Sequence, residues 1–173
     1  MSTTETVGYP AAEGDIGRWT GWACDAAGLL LVALTVLIGA EIAVRGLFGK
    51  STLISDEYSG YLFVWITMIG FAHALQSGAF LRVDNLVSRM GPRGQALADV
   101  LSATAGVLVS GACVYATGTL TMASWRFGTV SIQPSATPLW IPQLILPIGY
   151  VVLVWLYLAL LRRALRRLAD RGR

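Results

Sequence analysis

The sequence predicts an all-α membrane protein with four transmembrane helices, both termini cytoplasmic and a short interfacial helix between the second and third spans. Three observations carry this. Charged residues make up 13% of the 173-residue chain against 55% hydrophobic ones, where a water-soluble domain carries about 25% charge. Four charge-poor stretches are long enough to supply the roughly 20 residues that cross a ~30 Å hydrocarbon core. Ten of the thirteen basic residues fall on one side of the resulting four-span frame. A cytosolic enzyme and a free-standing nucleic-acid binder are thereby excluded. The chain outside the spans is too short for a second core, so residues 1–173 read as a single membrane domain whose soluble partners are separate chains.

Residues 1–21 read as a cytoplasmic tail. It carries Glu5, Glu13 and Asp15 and has no basic stretch followed by a small-residue cleavage site, so it is no secretory signal. The first span, 22–45, is then a retained anchor. Trp19 and Trp22 suit its inner interface. Glu41 lies 19 residues after Trp22, about 28 Å along a helix, which puts it at the outer rim. Arg45 follows at i+4 in the favourable acid-before-base order. An interfacial ion pair is expected there, ahead of any ion-coupling role. The second span, 58–81, carries Trp65, His73 and a small-residue face of Gly70, Ala74 and Gly78. Leu86, Val87 and Met90 before the Gly91-Pro92-Arg93-Gly94 turn form the interfacial segment. In the third span, 97–125, Ser102, Gly106 and Ser110 make a second small-residue face. Such faces permit close helix approach, equally inside this chain or onto a partner subunit.

Residues 127–138 combine glycine, two prolines and hydroxyls without helical periodicity, and read as an ordered, partly extended loop. The fourth span, 138–161, is expected to start with Thr137 as cap and Pro138 in the first helical position. Trp140 then marks the outer interface. Pro142 and Pro147 lie further in, and Pro147 is expected to kink the outer half by removing the bond to the Gln143 carbonyl. The tail 162–173 continues helical spacing, with leucines on one side and arginine pairs on the other.

Orientation follows from charge. Arg18, Arg82, Arg89, Arg93, Arg162, Arg163, Arg166, Arg167, Arg171 and Arg173 share one side, against Arg45, Lys50 and Arg126 on the other. The positive-inside rule places the first group in the cytoplasm. The net charge of +3 is therefore a topology signal, and the terminal arginines read as contacts to membrane lipids rather than to nucleic acid.

No catalytic, cofactor or metal chemistry is legible. His73 is the single histidine, which excludes paired haem ligation. Cys24 and Cys113 are isolated, with no Cys-x-x-Cys. Gly49-Lys50-Ser51 lacks the upstream glycine and strand of a phosphate loop. His73 is expected to make a helix-to-helix hydrogen bond rather than serve as a relay. An enzyme built on His73 with Asp84 or Glu57 would need groups that this topology sets at different levels.

Three blocks in the right order carry a family resemblance. Ser55-Asp56-Glu57-Tyr58 leads into Trp65 and Gly70; Gly78-Ala79-Phe80-Leu81-Arg82-Val83-Asp84 closes the second span; and Thr137-Pro138-Leu139-Trp140-Ile141-Pro142 precedes Leu146-Pro147-Ile148-Gly149. Over about residues 26–161 the chain resembles the small membrane subunit, DctQ-like, of tripartite ATP-independent periplasmic (TRAP) transporters. It departs at Phe80, where the family usually has His, and at Ile54, where a Trp commonly precedes the acidic pair.

The resemblance implies a division of labour. A periplasmic binding protein captures a carboxylate-bearing solute, a large membrane subunit moves it by a sodium-driven elevator motion, and the small subunit steadies the fixed scaffold in the bacterial inner membrane. The partner-interface candidates are Glu41, Arg45, Asp56, Glu57, Trp65, Gly70, His73, Ala74, Gly78, Arg82, Asp84, Trp140, Pro142 and Pro147. Asp56 and Glu57 would cap the second helix. Arg82 and Asp84, two apart, would face another chain or lipid headgroups. The outer loops 46–57 and 127–138 would meet the binding protein transiently. The competing reading is a small four-helix proton-coupled drug exporter that uses Glu41.

Overall fold

The computed structural model describes residues 15–49, 51, 53–76 and 91–170. Four of its helices are long and apolar enough to cross a membrane. Among the described residues strand pairing amounts to one antiparallel bridge, Val130 to Pro138. Helix α1 spans Asp15–Phe48, α2 Ile54–Gln76 and α3 Pro92–Arg126. The short α4 covers Trp140–Gln143 and α5 Ile145–Asp170. Residues 77–90, with the expected interfacial segment and the candidates Gly78, Arg82 and Asp84, lie outside the described residues.

Local chemistry explains the helix ends. α1 stops at Gly49, whose φ of +66° is the left-handed conformation glycine adopts freely, and the Gly49 amide bonds the Arg45 carbonyl at 3.0 Å. α3 starts behind Gly91 with Pro92 in its first turn, where the missing amide costs nothing. Its 35 residues and the 34 of α1 exceed the ~20 needed for a crossing, so both helices continue past the hydrocarbon core or tilt within it.

The fourth apolar run is broken at Leu144, between α4 and α5. Pro147 has no N–H for the Gln143 carbonyl and its ring crowds that turn, so the ladder is interrupted one turn upstream of the ring. Thr137 does not cap this helix. Leu139 is the residue before Trp140 and makes no side-chain cap bond. The Thr137 hydroxyl instead donates to Ser135 Oγ at 3.0 Å and pairs with the Tyr58 hydroxyl at 3.1 Å.

The helices stand in a row, in the order α1, α2, α5, α3. α3 packs most extensively on α5, α2 packs on both α1 and α5, and α1 has no extensive contact with α3 or α5. The central pair α2 and α5 run parallel, each flanked by an antiparallel neighbour. The 49–53 turn and the 127–139 segment share one end of the row, here termed the loop end, because Tyr58 and Thr137 meet there.

A single row buries little. Among the described residues the buried apolar side chains are Met68, Leu75, Ala96, Ala103, Leu153 and Ala164, and no large side chain is fully enclosed. In each apolar window only 11% of the residues are buried, so lipid or another chain must cover most of both faces. The seam between α3 and α5 is built from small residues. Ala96, Ala103, Ser110 and Ser124 are buried at multiples of seven residues, the spacing that keeps one stripe facing a neighbouring helix. At Gly106 an added Cβ would overlap the Tyr157 ring. Of the small-residue face of the third span, Gly106 and Ser110 therefore serve packing inside this chain, whereas Ser102 is exposed. Ser110 and Thr121 return their hydroxyls to carbonyls of their own helix, at 2.5 and 2.8 Å, so their burial leaves no donor unmet.

Candidate partner interface at the loop end

Two polar clusters fasten the loop end. The first is built on Glu41, about two turns before the end of α1. Its carboxylate is buried and accepts from Ser51 Oγ at 2.7 Å and from Ser55 Oγ at 3.2 Å. Arg45 stands one turn on, with 3.9 Å between guanidinium and carboxylate, and donates to Ser51 Oγ at 2.9 Å. Ser51 thus bridges acid and base. Its oxygen also receives the Leu53 amide at 3.3 Å, which steadies Leu53 at a φ of +58° that non-glycine residues seldom adopt. The α1–α2 turn is held by side chains that come from the turn itself and from both helix ends.

The second cluster is built on Glu57 in the first turn of α2. Its carboxylate accepts from the Tyr61 hydroxyl, one turn further on, at 2.6 Å and from the Ser135 hydroxyl. Ser135 belongs to the 127–139 segment. That segment is an irregular hairpin, in which the Ser131 amide bonds the Thr137 carbonyl at 2.9 Å and the Leu139 amide bonds the Thr129 carbonyl at 3.0 Å. The Ala136 amide closes its tip onto the Gln133 carbonyl at 3.0 Å, with Ala136 at a φ of +45°. Glu57, Tyr58, Ser135 and Thr137 therefore clasp the hairpin to the start of α2. Deeper along the same helix, Trp65 Nε1 donates to the Pro142 carbonyl at 3.4 Å. This bond joins α2 to α4 just ahead of the break.

The expected residues divide accordingly. Glu41 and Arg45 come together as their spacing predicts, and Trp65 meets Pro142 from a distant part of the chain. Asp56 and Glu57 both stand in the first turn of α2, where negative charge suits the helix end. Asp56 lines an open groove of about 470 Å³ between α1 and α2, with Ile38, Glu41, Ile42, Arg45 and Ser59. Trp140 is half-buried in α4, and Pro147 sits in the first turn of α5. Gly70 faces open space, with nothing within 4 Å of an added Cβ. Ala74 is half-buried on the same helix. His73 Nδ1 is buried without a hydrogen-bond partner among the described residues. Sequence reasoning missed Ser51, Ser55 and Ser135 as the partners of the two carboxylates. Only the four-residue step from Glu57 to Tyr61 offered a local signal.

In both clusters the serine hydroxyls are spent as donors to the carboxylates, and among the described residues no three His, Cys, Asp or Glu side chains gather to hold a metal. The chemistry of the loop end is clamping. Residues 19–167 match the family described as tripartite ATP-independent periplasmic transporters, DctQ component. The chain belongs to this family. The DctQ family is a family of transporter components rather than of enzymes, and the four apolar helices make this member a multi-pass membrane protein. A Haemophilus influenzae protein, provisionally named a TRAP transporter small permease protein, is 29% identical over 68 residues. That match covers 39% of this chain and spans 42% of the length of the relative.

Proposed function

We propose that the chain is the stator of a sodium-coupled, binding-protein-dependent secondary transporter for organic anions. It packs laterally on a large elevator-type subunit in the bacterial inner membrane, both termini cytoplasmic, and holds that subunit at fixed depth and tilt. The open row of helices carries this reading. A row has no interior in which to enclose a solute path, yet it offers two broad apolar faces that need cover. The clamps at Glu41 and Glu57 support it further. Rigid helix ends let the row resist the sliding of a neighbour, and the fastened 127–139 hairpin is a firm surface for transient contact with the periplasmic binding protein.

The exporter alternative needs Glu41 exposed to a transport path, exchanging protons at mid-membrane. Two serine hydroxyls and Arg45 around a carboxylate at the helix end favour a structural task instead. Co-expression with a tagged large subunit tests the proposal. The chain should be retained through detergent purification, and its loss while the large subunit remains folded contradicts a bracing role.

A further inference from the structure

The tail end of α5 carries a second cradle, remote from both clusters. It is a shallow groove of about 290 Å³ lined by Trp155, Leu158, Ala159, Arg162, Arg163 and Arg166. At about 100° per residue, Leu153 and Ala164 fall on one side of α5, and both are buried. Trp155, Ala159, Arg162 and Arg166 lie roughly 140° to 180° from Ala164, on the opposite side. Trp155 is 55% exposed, and the three arginines are exposed. Among the described residues none of these arginines is ion-paired with a carboxylate.

The groove is graded along the helix. Its apolar part lies within the candidate span and its guanidiniums at the end of that span, which closes at Arg166. Arg162 stands about 10 Å and Arg166 about 16 Å beyond Trp155 along the axis. That is the layout of one amphiphile, with an apolar chain beside the indole and a phosphate among the guanidiniums. A protein partner would have to bring several carboxylates to this depth, whereas phosphate is already there in every headgroup layer. Guanidinium groups bind phosphate with several donors at once. We propose that this face of α5 is a binding site for one anionic phospholipid. The phosphate is held by Arg162, Arg163 and Arg166, and an acyl chain lies along Trp155, Leu158 and Ala159.

Native mass spectrometry of the full chain in neutral detergent tests the site with phosphatidylglycerol and phosphatidylcholine as probes. One phosphatidylglycerol should remain bound under activation that strips phosphatidylcholine. The combined substitution Arg162→Gln, Arg163→Gln and Arg166→Gln should weaken that retention on the order of a hundredfold, with helicity and thermal midpoint unchanged. Arg126→Gln, at the loop end, should leave it intact. Equal retention of the two lipids, undiminished retention by the triple variant, or full competition by inorganic phosphate would each overturn the proposal. So would displacement of the lipid when the large subunit is bound, because the face would then belong to a protein contact.

Discussion

Glu41 shows how a carboxylate is kept at the edge of a membrane span. Burial of a charge is costly unless it is hydrogen-bonded and paired, and here two hydroxyls and a guanidinium share it. Glu41→Ala should leave the buried Ser55 hydroxyl without its acceptor and cost about 1–3 kcal/mol, read as a lower thermal midpoint in detergent. Glu41→Gln keeps an acceptor and should lose less. At Glu57 the consequence is local order. Ser135→Ala removes the Glu57 half of the clasp and leaves only the Tyr58–Thr137 bond, so the amides of Ser131 and Leu139 should exchange hydrogen faster, with α2 and α5 unaffected. The i,i+4 pair of Glu41 and Arg45 was legible in the sequence. The bond from Ser135 to Glu57 crosses 78 positions, and no local pattern announces which hydroxyl in a loop will meet which carboxylate.

At the level of elements, glycine positions separate internal seams from open faces. Gly106 lies against the Tyr157 ring, so Gly106→Leu should overpack the α3–α5 seam by about 1–3 kcal/mol. Tyr157→Ala in the same chain should restore part of the lost thermal midpoint. Gly70 is the contrasting case. Gly70→Leu meets open space and should change the stability of the isolated chain by no more than about 0.5 kcal/mol. If the Gly70 face receives the large subunit, the same substitution should reduce recovery of that subunit in co-purification. Hydropathy made the four spans legible because it reports the solvent around a helix. It is silent on which helices are neighbours, so both small-residue stripes look alike in sequence although Gly106 and Ser110 lie in an internal seam and Gly70 faces open space. The break at Leu144 follows from Pro147, whereas the Thr137 cap fails because the hairpin takes that hydroxyl for Tyr58 and Ser135.

At the level of the whole molecule, the low charge fraction and the row architecture belong together. A chain with 13% charged residues cannot expose its helices to water, and a row of four cannot hide them from one another's far side. Its surfaces require a membrane and suit a larger membrane partner. We propose that this chain braces transport performed by a large membrane subunit. Uptake of a radiolabelled carboxylate into proteoliposomes, with loaded binding protein outside and a sodium gradient imposed, tests it most directly. Vesicles holding both membrane subunits should accumulate the solute, and vesicles holding either subunit alone should not. Sodium-driven accumulation by this chain alone, or undiminished uptake by the large subunit in its absence, would contradict the account.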